Sequence, residues 1–198
     1  MTSPFVYSEA PLVRRHAPRG YADYPSFLPW VRDDFGFRCV YCLHRERWVA
    51  GGFHLDHFLP VVQRPDLVTQ YDNLLYCCSS CNLRKRDANV ADPCHTLLRS
   101  TVAVQPDGSI RGETPEAIAT IDHLGLNDQH YIGFRRVWMR IVEIVAASRP
   151  QSLAEILGYP DDLPDLSKLR PPGGNAKPEG VEQSYFRRRE RGELPEMY

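Results

Sequence analysis

No stretch of this 198-residue chain offers the ~18 consecutive apolar residues that a membrane-spanning helix needs. The first twenty residues, MTSPFVYSEAPLVRRHAPRG, also lack the continuous apolar core of a secretory signal. The chain is therefore expected to keep clear of membranes and to stay in the cytoplasm. It has no excess of charge of either sign. Its 24 basic and 25 acidic side chains leave a formal charge of −1, so bulk charge does not mark a nucleic-acid-binding surface. Apolar residues are not scarce: a hydrophobic content of 42% with 25% charged matches ordinary globular proteins and excludes wholesale disorder. At this length one domain, or one with a small appendage, is expected.

Several features stand out against that balance. Six cysteines in a chain expected to stay in a reducing compartment point to metal binding or catalysis rather than to a disulfide framework. Seventeen prolines are an excess over average usage and gather toward the two ends. Positive charge is concentrated in Arg84-Lys85-Arg86 and in Arg187-Arg188-Arg189 with Arg191.

Four sections follow from these patterns. Residues 1–36 read as an irregular arm and a short helix carrying Phe27, Leu28, Trp30, Val31 and Phe35 up to Gly36. Residues 37–92 are dense in Cys, His, Asp and Asn, with strand-like pieces around 47–55 and 58–62 and a helix entered through LLYCCSSCNLRKRD. Residues 93–160 read as helical. Thr114-Pro115-Glu116 is a start signal, with Ile118, Ile121 and Leu124 expected on one apolar face. Asp128 opens a longer helix in which Tyr131, Phe134, Trp138, Ile141 and Val145 recur at spacings of three and four, while Arg135, Arg136 and Arg140 fall on its polar face. Ser152 to Leu157 makes a third helix. Residues 161–198 read as a Pro/Gly-rich linker, with 170–180 flexible by composition, and a basic tail.

The chemistry collects in the second section. Cys39 with Cys42 in CVYC, and Cys78 with Cys81 in CSSC, are two Cys-x-x-Cys knuckles, each offering two thiolates to one ion. Together they complete a tetrahedral zinc site. Cys77 and Cys94 lack the spacing of ligands and are expected to be small buried residues, and His44 to be exposed. Between the knuckles lies FHLDHFLP. Asp56 is a hard carboxylate suited to a magnesium-like ion, and the adjacent His57 is an imidazole able to take a proton from water at neutral pH. Asn82 directly follows the second knuckle, which would fix its amide oxygen as a second ligand to the ion at Asp56. The basic run Arg84, Lys85 and Arg86 is expected in the first turn of the following helix, where free backbone N–H groups favour a phosphate. His54, two residues before Asp56, would share its face on a regular strand as a further ligand or phosphate contact.

In this order and spacing CVYC, DHFLP and NLLYCCSSCNLRK resemble the HNH endonuclease family, in its zinc-stapled subset, over roughly residues 37–90. The resemblance implies an α+β fold: a ββα-metal (His-Me finger) nuclease core with structural zinc and flanking helices. It implies that His57 is the general base for attack of water on a phosphodiester in DNA. Asp56 and Asn82 would ligate a catalytic Mg2+ or Mn2+, Asn73 would brace the hairpin and orient His57, and Cys39, Cys42, Cys78 and Cys81 would hold structural Zn2+. Asn82 stands where the commoner pattern has histidine, an H-N-N version whose neutral oxygen tilts metal choice toward Mg2+ or Mn2+. Residues 107–142 loosely resemble the helical segment that follows the core in small bacterial HNH proteins, some of them attached to phage defence. A near-neutral charge then leaves targeting to a partner subunit or to the basic tail.

Two other classes compete. A zinc-stabilised nucleic-acid-binding module without catalysis would need the four cysteines but not Asp56, His57 and Asn82 in register. A zinc deaminase would need a His-x-Glu segment and a Pro-Cys-x-x-Cys; HLDH has no glutamate and neither knuckle follows proline.

Overall fold

The computed structural model describes residues 3–49, 52–172 and 178–198. After a 3-10 turn at Pro25–Phe27 comes helix α1, Leu28–Asp34, which starts with Pro29 in its first turn, where the missing N–H costs nothing. Its Trp30 and Val31 are fully buried, and the helix packs on an antiparallel hairpin of β1, Phe53–His57, and β2, Leu74–Cys78. Helix α2, Ser79–Lys85, follows β2 without a loop. Hairpin and helix together form a ββα unit, so the chain is of the α+β class.

The second strand of this hairpin is not the piece at 58–62. In the observed register Asp56 faces Leu75 and His57 faces Leu74, so LLYCC, expected as the entry to a helix, is the strand. All five of its residues are buried, which is why it reads as an unbroken apolar run rather than an alternating one. The ladder goes one hydrogen bond further, from the Phe58 amide to the Asn73 carbonyl at 2.8 Å, and ends there. Pro60 has no N–H to give, and the Asn73 side chain takes the place of a neighbouring strand. Its Oδ1 accepts from the Leu59 amide at 2.8 Å and its Nδ2 donates to the Leu59 carbonyl at 3.1 Å.

The extension 93–160 contains more than helices. A short helix α3, Pro93–Thr96, leads to a second hairpin of β3, Val102–Val104, and β4, Ile110–Gly112, where the sequence pattern predicts only helix. Helices α4, Pro115–His123, α5, Gln129–Ser148, and α6, Leu153–Leu157, follow. Thr114 caps α4 by accepting from the Ala117 amide, as its sequence signal suggests. The buried face of α4 is Ala117, Thr120 and Ile121 with Leu124 just beyond; Ile118, expected there, is 46% exposed. Arg135 on α5 is the opposite case, an expected surface arginine with no exposed area. Its guanidinium donates to the carbonyls of Gly108, at the turn of the second hairpin, and Leu126. Gly108 has φ +90°, and a Cβ there would lie 2.5 Å from the Ile132 carbonyl oxygen, so glycine lets hairpin and helix meet.

The two ends are fastened down. Phe5 and Tyr7 are buried, and the Tyr7 hydroxyl donates to the Tyr41 carbonyl at 2.7 Å. His16 and Asp33, both fully buried, meet at 2.8 Å. Helix α7, Tyr185–Glu190, docks on α1 through the Tyr185 amide, which donates to Asp33 at 2.9 Å. The basic run of this tail is already engaged: Arg187 with Glu190, Arg189 with the carbonyls of Pro160 and Asp161, and Arg191 with Glu193. The tail is thus a packed part of the fold, because its aromatic residues Tyr185 and Tyr198 find Phe37 and Tyr159 to pack on. Of the stretch read as a flexible linker, residues 173–177 lie outside the described residues. Among the described residues no helix is long and apolar enough to cross a membrane.

Candidate metal centre and catalytic cleft

The four cysteines of the two knuckles come together. Their Sγ atoms all lie within 4.8 Å of one another, all four side chains are buried, and no disulfide joins them. A Zn–S bond of ~2.3 Å sets the sulfurs of a tetrahedral site about 3.8 Å apart, and Cys42 and Cys78 are 3.6 Å apart. The donor set therefore fits one metal ion. The fit also answers an electrostatic need, since burial pushes the Cys42 thiol well above its ordinary range and a cation offsets that cost.

Local backbone geometry builds each knuckle. Arg38 bridges Arg45, the Cys39 amide donates to the His44 carbonyl at 2.9 Å, and Leu43 takes a left-handed conformation, closing a tight loop over CVYC. The Val40 amide donates to the Tyr76 carbonyl at 3.0 Å, tying this loop to β2. The second knuckle bridges the end of β2 and the first turn of α2. Helix α5 covers the cluster, with the Tyr131 hydroxyl 3.4 Å from Cys81 Sγ. His44, expected at the surface, is buried against Phe134 at a ring distance of 4.0 Å, because α5 lies over it. Cys77 and Cys94 are buried outside the cluster, as expected.

A separate cleft of about 350 Å³ holds Asp56, His57 and Asn82, with Tyr24, Pro60, Val61, Leu83, Arg86 and Asp87 around them. The end of β1 contributes Asp56 and His57, and the middle of α2 contributes Asn82. His57 is held in one tautomer. Its Nε2 lies 2.9 Å from the Val68 carbonyl oxygen; a carbonyl only accepts, so Nε2 is the donor, and in the neutral ring the lone pair is on Nδ1. Val68 belongs to the loop that Asn73 gathers, through Leu59 and through the Leu67 carbonyl at 3.4 Å. Asn73 thus reaches His57 by way of the loop, without touching the imidazole.

Asp56 is only 7% exposed and has two donors. The Tyr41 hydroxyl donates to Oδ2 at 3.0 Å, and Lys85 Nζ donates to Oδ1 at 3.2 Å and to the His57 carbonyl at 2.7 Å. Burial pushes the Asp56 carboxyl above its ordinary value, and Lys85 and then Tyr41 oppose that shift. Burial, and next the Asp56 charge, hold the Tyr41 hydroxyl well above its own ordinary value, so it remains a donor. The carboxylate of Asp56 and the amide of Asn82 offer hard oxygen atoms to one cleft, which fits a magnesium-like ion.

The basic run after Asn82 is arranged differently from expectation. Helix α2 begins at Ser79, so Arg84 and Lys85 occupy its last turn and Arg86 caps it with φ +49°; the free backbone groups there are carbonyls, which do not attract phosphate. Arg84 pairs with Asp128 at 2.7 Å and lies over the Tyr131 ring. Lys85 has no exposed area. Of the three, only Arg86 lines the cleft. His54 lies outside it, with Nε2 3.0 Å from Ser79 Oγ at the start of α2.

Three contacts around this site left no signal in the sequence. Tyr24 places its ring edge-on to His57, centroids 4.8 Å apart, from 33 residues away in the chain. The contacts of Tyr41 and Lys85 to Asp56 were equally hidden, although both lie inside the motif. No curated protein is similar enough to this chain to count as a match. Residues 39–88, which hold both knuckles, the Asp56-His57 pair, Asn73 and Asn82, match the family model of the HNH endonucleases.

Proposed function

We propose that the chain is a metal-dependent endonuclease that hydrolyses phosphodiester bonds in DNA, with Zn2+ in the cysteine cluster as a structural ion. The observation that carries this reading is the cleft in which Asp56, Asn82 and a tautomer-fixed His57 meet. His57 Nδ1 takes the proton of the attacking water, while Val68 holds the opposite edge of the ring and keeps the proton on Nε2. Asp56 and Asn82 would hold Mg2+ or Mn2+, an ion that when bound stabilises the charge developing on the phosphate and the leaving oxygen. Arg86 at the cleft wall is the residue placed to meet substrate phosphate. Asn73 supports His57 through the loop. A partner subunit that supplies targeting, and a place in restriction or phage defence, rest on the family resemblance and on the near-neutral charge.

A second reading has its own support. The buried Lys85 ammonium already neutralises Asp56, which suits a zinc-stabilised nucleic-acid-binding module as well as an enzyme. Cleavage of supercoiled plasmid, single-stranded DNA and RNA by purified protein with Mg2+ or Mn2+, beside an EDTA control, separates the two. Metal-dependent cutting of DNA is the expected result. Binding without cutting on every substrate favours the module.

A further inference from the structure

Among the described residues, the two hydrogen bonds that Asp56 receives come from arms of the cysteine cluster. Tyr41 sits between the two cysteines of the first knuckle, and Lys85 stands one helical turn after the second. Tyr41 is fixed at both ends. Its carbonyl accepts from the Tyr7 hydroxyl, the neighbouring Val40 amide is tied to β2, and its own hydroxyl reaches Asp56 Oδ2 at 3.0 Å. The ring has no exposed area, so no water competes for this bond. The one ionisable side chain at the cleft read here as a cation ligand is therefore oriented by a residue that the knuckle itself carries.

We infer that Tyr41 is a positioning residue for the catalytic cation, its hydroxyl holding the Asp56 carboxylate in the orientation in which it ligates, so that the cysteine knuckle organises the cleft as well as the fold. The inference rests on Asp56 being a ligand. Two features support this role of Asp56. The bond leaves each Asp56 oxygen with a further lone pair, since Oδ1 and Oδ2 each accept one hydrogen bond. The cleft wall also includes Asp56 but not Tyr41, so the hydroxyl that holds the carboxylate does not itself line the cleft. Groups that hold a ligating carboxylate from behind typically contribute 10- to 100-fold to metal affinity.

The test is Mn2+ binding by calorimetry to the full chain with its cysteine metal in place, for wild type, Tyr41→Phe and Asp56→Asn, with cysteine-bound metal content measured for each. Tyr41→Phe removes one oxygen and keeps the ring. The expected result is Mn2+ affinity about 10- to 100-fold weaker in Tyr41→Phe, binding lost in Asp56→Asn, and cysteine-bound metal unchanged in both. Wild-type affinity in Tyr41→Phe, with binding lost in Asp56→Asn, would overturn the inference and leave the cation site standing. Undiminished binding in Asp56→Asn would overturn the ligand assignment beneath it. Loss of the cysteine-bound metal from Tyr41→Phe would overturn the inference as well, because the hydroxyl would then serve the knuckle and not the carboxylate.

Discussion

Replacing Lys85 by methionine isolates a buried ion pair at the candidate site. The ammonium has no exposed area and bridges Asp56 Oδ1 at 3.2 Å and the His57 carbonyl at 2.7 Å. Removing one partner of a buried ion pair costs roughly 3–5 kcal/mol, because the other charge is left unpaired. Here Asp56 keeps the Tyr41 bond and opens on the cleft, which places the ion-pair cost near the lower end, at about 3 kcal/mol. The lost bond to the His57 carbonyl adds about 1 kcal/mol. Methionine fills a similar volume, so little is added for a cavity. At a urea slope of about 2 kcal/mol per molar, the midpoint of Lys85→Met should fall by about 2 M. A second substitution gives the sharper result. Asp56→Asn in the Lys85→Met background removes the stranded charge, so the double variant should be more stable than Lys85→Met alone by at least ~1 kcal/mol. A midpoint shift below about 0.3 M, or a double variant no better than the single, would refute this account of the pair.

Other parts of the structure yield equally direct expectations. The cysteine cluster should bind about one equivalent of zinc per chain, and Cys42→Ser should lose that metal and most of the thermal stability, read by metal analysis and a melting curve. Asn73→Ala removes the side chain that gathers residues 59–67 and, through them, Val68; kcat should fall by about ten-fold or more with KM little changed, measured as single-turnover DNA cleavage. Deleting residues 181–198 should uncover Phe37 and Asp33 and lower the melting temperature; a truncated chain that melts like the full one would contradict the packing of the tail.

What could be read in advance was whatever the chemistry confines to a short span. Two Cys-x-x-Cys pairs, an Asp-His pair between them and an asparagine after the second knuckle keep their meaning in any fold that brings the knuckles together, and here the fold does. Burial was the harder quantity. Lys85 and Arg135 read as surface cations because their type usually is, yet each satisfies backbone carbonyls inside the molecule. Strand β2 reads as a helix entry because a strand covered on both faces loses its alternation. The hairpin of β3 and β4, three residues a side, is too short to show a period. Tyr24 reaches His57, and the tail reaches α1, only through tertiary packing, which leaves no trace at the separations a local pattern spans.

The central claim is that His57 is the base of a metal-dependent nuclease, and single-turnover cleavage of duplex DNA by His57→Ala beside wild type tests it most directly. His57 lies at the end of β1 in the cleft wall, so alanine there should leave the cysteine metal and DNA affinity in place. The account predicts cleavage slower by about 10²- to 10⁴-fold with binding retained. Cleavage by His57→Ala at the wild-type rate would contradict it.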